Sequence, residues 1–114
     1  MKVNLPNPND ENALESIQID EWDTWSMDYT LSLLIVPMLK QLKEDGHGYP
    51  AVLDSFEEWH EILDKMIWSF EQAKNGYEGY YGLALNNNEE YKAYMSRVQE
   101  GFDLFGKYYM SLWD

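Results

Sequence analysis

The sequence contains no cysteine, few basic residues and no long apolar run. Without cysteine the chain has no disulfide framework, no thiol nucleophile and no zinc–thiolate site. This absence is typical of a reducing compartment, so we expect a cytoplasmic protein. The longest apolar stretch, residues 31–39, is interrupted by Ser32 and Pro37, whereas a membrane span needs about 20 apolar residues. The first ten residues lack the apolar segment of a signal peptide, so we predict neither secretion nor a membrane partner.

Charge of one sign dominates the chain. Asp and Glu number 21 against 8 Lys and Arg, which gives a formal net charge of −13 at pH 7. No basic residue lies between Lys2 and Lys40. Such a negative field repels nucleic acids and anionic membranes, so we expect no direct nucleic-acid binding. It favours a basic protein partner or a metal ion, or it serves solubility alone.

The length and the apolar content, 114 residues and 45% hydrophobic, predict a single folded domain over residues 1–114. Residues 1–21 contain two prolines and predict an irregular arm, with a short strand near Ile17 as its possible regular element. Beyond the arm, apolar residues recur at helical spacing in three long segments. The expected fold class is therefore all-α, a bundle of three long helices preceded by an irregular N-terminal arm.

The first predicted helix runs from about Thr24 to Asp45, and Asp20 or Asp23 is its expected cap. Its apolar residues recur at spacings of three and four: Met27, Leu31, Leu34, Met38 and Leu42. Further aliphatic residues widen this stripe to nearly the whole circumference. A helix that is apolar on all sides is normally central, so we expect the other helices to surround it.

The second predicted helix spans Ser55–Asn75 and ends at Gly76, and the third begins after Asn87 or Asn88. Two glycines, Gly101 and Gly106, interrupt the third helix, where each costs about 1 kcal/mol against alanine. Close approach of another helix, or a bend, would compensate for this cost. Because three helices leave many apolar side chains to cover, we expect a homo-oligomer, with this third helix as the contact surface.

Aromatic residues make up 16% of the chain, and several fall where core packing does not demand them. Tryptophan and tyrosine combine a stacking face with a polar tip, which suits a base or a protein interface. Arg97 is the only arginine, and its guanidinium could clamp a phosphate or a carboxylate. The alternative is that the aromatics fill a small core and Arg97 pairs with an acid. The predicted ligand-binding residues are Trp22, Trp25, Tyr80, Tyr81, Arg97 and Lys107, with Lys92 as a substitute for the last.

Two acidic pairs resemble the paired motifs of the all-α nucleoside-triphosphate pyrophosphohydrolases of the MazG type. The four residues are Glu58, Glu61, Glu100 and Asp103. The resemblance implies that they bind Mg²⁺, which activates water for attack on a triphosphate. The gap between the motifs is longer than that family usually has, and little chain follows the second. A solvated acidic face is the alternative interpretation, and it requires no cofactor.

Three sequence blocks resemble a family of small uncharacterised proteins of tailed bacteriophages. The blocks are residues 22–28 (WDTWSMD) running on into 37–43 (PMLKQLK), 63–72 (LDKMIWSFEQ), and 97–109 (RVQEGFDLFGKYY) with residues 112–114 (LWD). The resemblance implies a phage accessory protein in the cytoplasm of an infected bacterium. It implies no catalytic residue, because no activity is established for that family.

No nucleophile–base–acid arrangement and no phosphate-binding glycine loop are recognisable in the sequence. We therefore predict a non-catalytic binding protein that counteracts a host factor, with sequestration of a small nucleotide-like signal as one way of doing so. One alternative is the Mg²⁺-dependent pyrophosphohydrolase. Another is an acidic mimic of DNA, or a direct inhibitor of a host protein.

Overall fold

The computed structural model describes residues 1–78 and 88–114, and these are mostly helical. Three long helices are confirmed, but the all-α expectation is incomplete because a small two-stranded sheet precedes them. In chain order the elements are β1 (Lys2–Asn4), β2 (Ser16–Gln18), α1 (Glu21–Trp25), α2 (Met27–Asp45), α3 (Phe56–Lys74), α4 (Asn88–Lys107) and a 3₁₀ turn (Tyr109–Ser111).

The N-terminal arm is not irregular throughout, which corrects the prediction from its prolines. Strands β1 and β2 pair antiparallel, with Val3 opposite Ile17, so the strand expected near Ile17 is confirmed. All residues of both strands are exposed. Pairing between distant segments cannot be read from local composition, which explains the missed first strand. A two-stranded sheet on its own is only marginally stable in water.

The first long helix is divided, unlike the single helix predicted from Thr24. Helix α1 begins at Glu21 and ends at Trp25, and the non-helical backbone of Ser26 separates it from α2. The cap at Asp20 is confirmed. Its carboxylate accepts from the N–H of Trp22, while the Asp23 carboxylate accepts from the N–H of Asp20 at 2.8 Å.

Helix α3, not α2, is the central helix, so the expectation for the first long helix was wrong. Helix α3 packs against both α2 and α4. Its buried residues are Trp59, Leu63, Met66, Ile67, Ser69 and Ala73, whereas α2 buries only Ser32, Val36 and Leu39. The apolar stripe predicted to face the core, from Met27 to Met38, is instead exposed. Apolar periodicity shows which surface needs cover, but not whether the same chain covers it.

Gly101 allows α4 to lie directly against α3. A Cβ atom at this position would overlap the hydroxyl of Ser69 and would come within 2.5 Å of the carbonyl oxygen of Lys65. The predicted close approach is therefore confirmed, but within one chain. Gly101 is buried and is not available to a second copy, which corrects the predicted oligomer surface. At Gly106 a Cβ would meet nothing within 4 Å.

Aromatic rings complete the contact between α3 and α4. The ring of Phe70 lies edge-on to those of Phe102 and Phe105, at centroid distances of 5.0 and 4.9 Å. Trp59 meets Tyr108 in the same way at 5.6 Å. Edge-to-face pairs of this kind add about 0.5–1.5 kcal/mol each beyond the burial of their area. Much of the aromatic content thus serves packing.

None of the helices in the described part of the chain has both the length and the hydropathy of a membrane-spanning segment.

The two glycines of α4 predict opposite responses to the same substitution. Gly101→Ala should destabilise the fold by about 1–3 kcal/mol, because the carbonyl of Lys65 is backbone and cannot move aside cheaply. Gly106→Ala should be neutral or stabilise by up to about 1 kcal/mol, because the new methyl group enters open space and favours the helix. Urea unfolding of both variants measures the difference. Equal effects of the two substitutions would contradict the described packing of α4 on α3.

Candidate functional site

The two tryptophans of α1 form the wall of an open apolar cleft beside the first turns of α2. Trp22 and Trp25 stack on each other, with ring centroids 4.8 Å apart and planes inclined by 6°. They are 72% and 74% exposed. We call the space around them the tryptophan cleft. Its volume is about 710 Å³, and its lining is Met1, Trp22, Asp23, Trp25, Ser26, Tyr29, Thr30, Leu33 and Leu34.

The short helix α1 presents both rings on one side because their positions are three residues apart. The capping contacts of Asp20 and Asp23 hold this helix at its start. The amino group of Met1 lies 3.1 Å from a carboxylate oxygen of each. Hydrogen bonds to Asp20 and then to Asp23 raise the pKa of this amino group. The amino group therefore stays protonated, and the two carboxylates balance its charge. No lysine or arginine of the described residues lines the cleft.

The predicted cationic residues lie elsewhere, on α4. The guanidinium carbon of Arg97 sits 3.7 Å from the ring centroid of Trp68, a cation–π contact between α4 and α3. The Lys107 ammonium lies 5.3 Å from the ring of Tyr108, its own neighbour in the chain. Arg97 and Lys107 are ten positions apart on α4, which is about 15 Å along the helix axis. Lys92 is exposed on the same helix.

The predicted nucleotide-binding set is therefore only partly assembled in one chain. The structure brings Trp22 and Trp25 together, but neither Arg97 nor Lys107 lines their cleft. Tyr80 and Tyr81 lie outside the described residues. The nucleotide-binding site of stacked rings and a guanidinium stays a prediction. The described residues of one chain do not bring cations to the tryptophans, so a second chain would have to supply them.

The four acidic residues of the pyrophosphohydrolase hypothesis have separate contacts. The Glu58 carboxylate accepts from the N–H of Asp54, and Ser55 caps α3 through the N–H of Glu58. Glu100 forms an ion pair with Lys65 at 2.8 Å, and Asp103 accepts from Gln99. Glu61 is exposed on α3. Among the described residues, no three acidic or histidine side chains are placed to hold one metal ion. The Mg²⁺ site stays a prediction that these contacts do not support.

A second concave surface lies between the C-terminal half of α2 and the end of α4. We call it the C-terminal groove. Its volume is about 770 Å³, and its apolar lining is Ile35, Met38, Leu39, Leu42, Phe105, Tyr109 and Leu112. At one end His47 contacts Asp114 twice, through its backbone N–H at 2.7 Å and its Nδ1 at 2.9 Å. This contact fixes the last residues of the chain against the end of α2.

No protein-family model matches this chain, and neither curated proteins nor solved structures show a significant similarity to it. The assignment of function therefore depends on the two concave surfaces themselves.

The sequence pattern singles out the tryptophans but not the C-terminal groove. Phe105 and Leu112 of the groove wall recur at helical spacing, which favours an interior position for them. The spacing of Met38 and Leu42 favours the same. The available signal was an excess of apolar residues on α2 over what two neighbouring helices can cover.

The contact between His47 and Asp114 predicts a measurable histidine titration. The hydrogen bond to Asp114, and then its charge, raise the pKa of His47 above the ordinary 6.5. The N–H and ring of His47 lower the pKa of Asp114 below 3.8. In Asp114→Asn the pKa of His47 should fall back toward 6.5, as followed by proton NMR. Asp10→Asn, which removes the same charge from the arm, is the matched control and should leave it unchanged.

The sign of the pH dependence follows from these two directions. A raised histidine pKa stabilises the folded state below pH 6.5, and this contribution is lost as the pH rises through the folded pKa. A lowered aspartate pKa stabilises above pH 3.8 and is lost on acidification. The His47–Asp114 contact therefore contributes most to the stability of the folded state between pH 3.8 and pH 6.5. An unchanged His47 titration in Asp114→Asn would show that the two side chains do not interact in solution.

Proposed function

We propose that this chain is a non-catalytic binding protein that uses the tryptophan cleft to hold a side chain of a target protein. The observation that carries the proposal is the pair of stacked, largely exposed tryptophans in an apolar cleft. Exposed apolar patches of several hundred Å² usually mark interaction sites. Tryptophan is also among the residues that most often dominate binding energy in protein interfaces.

The charge around the cleft favours a basic target. The Met1 ammonium offsets one of the two charges of Asp20 and Asp23, which leaves a net negative charge beside the cleft, and Glu21 adds to it. A lysine or arginine placed over a tryptophan face gains about 0.5–2 kcal/mol, and nearby carboxylates add to the attraction. The net charge of −13 would steer such a target toward the protein at low ionic strength. This is the direct-inhibitor form of the host-factor hypothesis.

A small nucleotide-like ligand is the second candidate. The ring separation of 4.8 Å leaves no space for a base between Trp22 and Trp25, but the outer ring faces are exposed. Stacking of a base on such a face is worth about 1–3 kcal/mol. A phosphate, however, would meet Asp23 and no described lysine or arginine in the cleft. The cleft of a single chain therefore supports a protein target better than an anionic ligand.

The resemblance to small phage proteins suggests where the target would be found. If the chain acts during infection, the target is a basic protein of the bacterial host, and binding counteracts that protein. A DNA mimic would be a special case of this function, because it also competes for a basic surface. It would further require carboxylates spaced like phosphates along one face.

Affinity purification from bacterial lysate tests the protein-target proposal. A specific host protein should be retained by the wild-type chain and lost with Trp25→Ala, with at least about 30-fold weaker binding for a dominant residue. Trp113→Ala is the matched control, since Trp113 is 76% exposed but lies outside the cleft. Retention should also weaken as salt is raised. Equal loss with both variants, or no dependence on Trp25, would contradict the proposal.

A nucleotide-binding assay with the purified protein separates the alternative functions. The purified protein is incubated with a panel of linear and cyclic nucleotides with Mg²⁺, washed, and denatured by heat. Recovery of an intact nucleotide that requires Trp25 would favour sequestration over a protein target. Release of pyrophosphate from a nucleoside triphosphate would instead favour the hydrolase, and binding would then be expected to depend on Glu58 and Glu100 rather than on the tryptophans.

A further inference from the structure

We propose that a second copy of this chain covers the exposed apolar stripe of α2, in an antiparallel dimer. We call this stripe the α2 seam and define it as Met27, Leu31, Leu34 and Met38. Its members are 53%, 40%, 45% and 69% exposed, although their spacing of four, three and four residues is that of a helix-pairing seam. The seam and the tryptophan cleft share one residue, Leu34, and the proposal does not depend on target binding in the cleft.

The exposed apolar surface is continuous over the seam and the groove. The α2 seam continues into the C-terminal groove through Met38, and Tyr109 on the far wall of the groove is 65% exposed. Each of these side chains exposes 40% or more of its surface, and pairing of two such surfaces would remove that apolar area from water. The described residues of one chain leave this surface open.

Charge argues for a second copy as the occupant rather than a basic protein. Residues 29–39 form a stretch of eleven without a charged side chain, although the chain as a whole carries a net charge of −13. A basic partner would gain no ion pair on this surface and would have to desolvate its own charges. A second α2 seam is equally apolar and uncharged. Along residues 29–39 two strongly acidic molecules can approach without placing carboxylates face to face, and the carboxylates of the groove, Asp45 and Asp114, lie beyond this stretch.

The position of the groove sets the direction of the two helices. The groove borders only the C-terminal half of α2, from Ile35 to Asp45, while the N-terminal half carries Met27 and Leu31 with no groove beside them. An antiparallel pair inserts the N-terminal half of each helix into the groove of the other, so both grooves are filled. A parallel pair would stack the two N-terminal halves together and leave both grooves empty.

The antiparallel arrangement has a defined register. The seam and Leu42 have their midpoint between Leu34 and Ile35, so a two-fold axis there places Leu31 opposite the partner's Met38. It also places Met27 opposite the partner's Leu42, in the groove. Because the same surface is used twice, the interface is isologous and closes as a dimer. Each chain thereby supplies the additional helix that the groove between α2 and α4 of the other lacks.

Light scattering of the purified full chain is the first test. The wild-type protein at micromolar concentration should give twice the 13.5 kDa mass of the chain. Leu31→Glu should raise the dissociation constant at least about 100-fold, because a carboxylate would be buried in the apolar seam. Val52→Glu makes the same change at a side chain that is 81% exposed and outside the seam, and it should remain dimeric. Circular dichroism confirms that both variants are folded.

Disulfide cross-linking tests the direction independently of these variants. The natural chain has no cysteine, so each introduced thiol reports one position. A mixture of Leu31→Cys and Met38→Cys chains should form the 31–38 cross-link and little of either homodimer, since a disulfide needs Cα atoms within about 7 Å. A parallel pair would give 31–31 and 38–38 products instead.

The outcomes decide the proposal. A monomeric wild type at 100 µM, cross-links of the parallel type, or equal dissociation by Leu31→Glu and Val52→Glu would each overturn it. Trp25→Ala should leave the dimer intact, whereas it should abolish target binding. Failure of the dimer and failure of the proposed target binding are therefore distinguishable.

Discussion

The direct contact of α4 with α3 at Gly101 is the constraint on which the rest of the packing depends. With no side chain at Gly101, the α4 backbone lies against Ser69 and Lys65, and the hydroxyl of Ser69 donates to the carbonyl of Arg97. The close approach of the two helix backbones allows their aromatic rings to pack edge to face around Phe70. Helix α3 becomes central as a result, because it divides its apolar face between α4 and α2.

The consequence for α2 is that residues 1–78 and 88–114 of one chain leave part of its apolar surface uncovered. Helix α2 buries Ser32, Val36 and Leu39 against α3 and leaves the opposite side, the α2 seam, in solvent. The ion pairs of Lys40 with Glu71 and of Lys43 with Asp64 hold α2 on α3 in this orientation. They lie at the surface, so each contributes little to stability, and they favour one rotation of α2 over others. Surface that would be interior in a larger bundle is thus exposed in two places, at the tryptophan cleft and along the seam.

The two exposed regions suit different partners because their charges differ. The tryptophan cleft has Asp23 in its lining and the acidic start of α1 beside it, so it favours a basic group over an aromatic ring. The seam carries no charge and favours an equally apolar helix. A dimer through the seam would adjoin each tryptophan cleft at Leu34 and would carry two tryptophan pairs, which raises avidity for a target with two binding positions.

Local spacing and backbone chemistry predict the three long helices and the cap at Asp20, and they leave a close approach or a bend open at Gly101. The sequence also singled out Trp22 and Trp25. Only the tertiary structure decided that α3 is central and that Arg97 stacks on Trp68 rather than beside those tryptophans. The reason is physical: periodicity records how much apolar surface a helix carries. Which neighbour covers that surface depends on contacts between residues far apart in the chain.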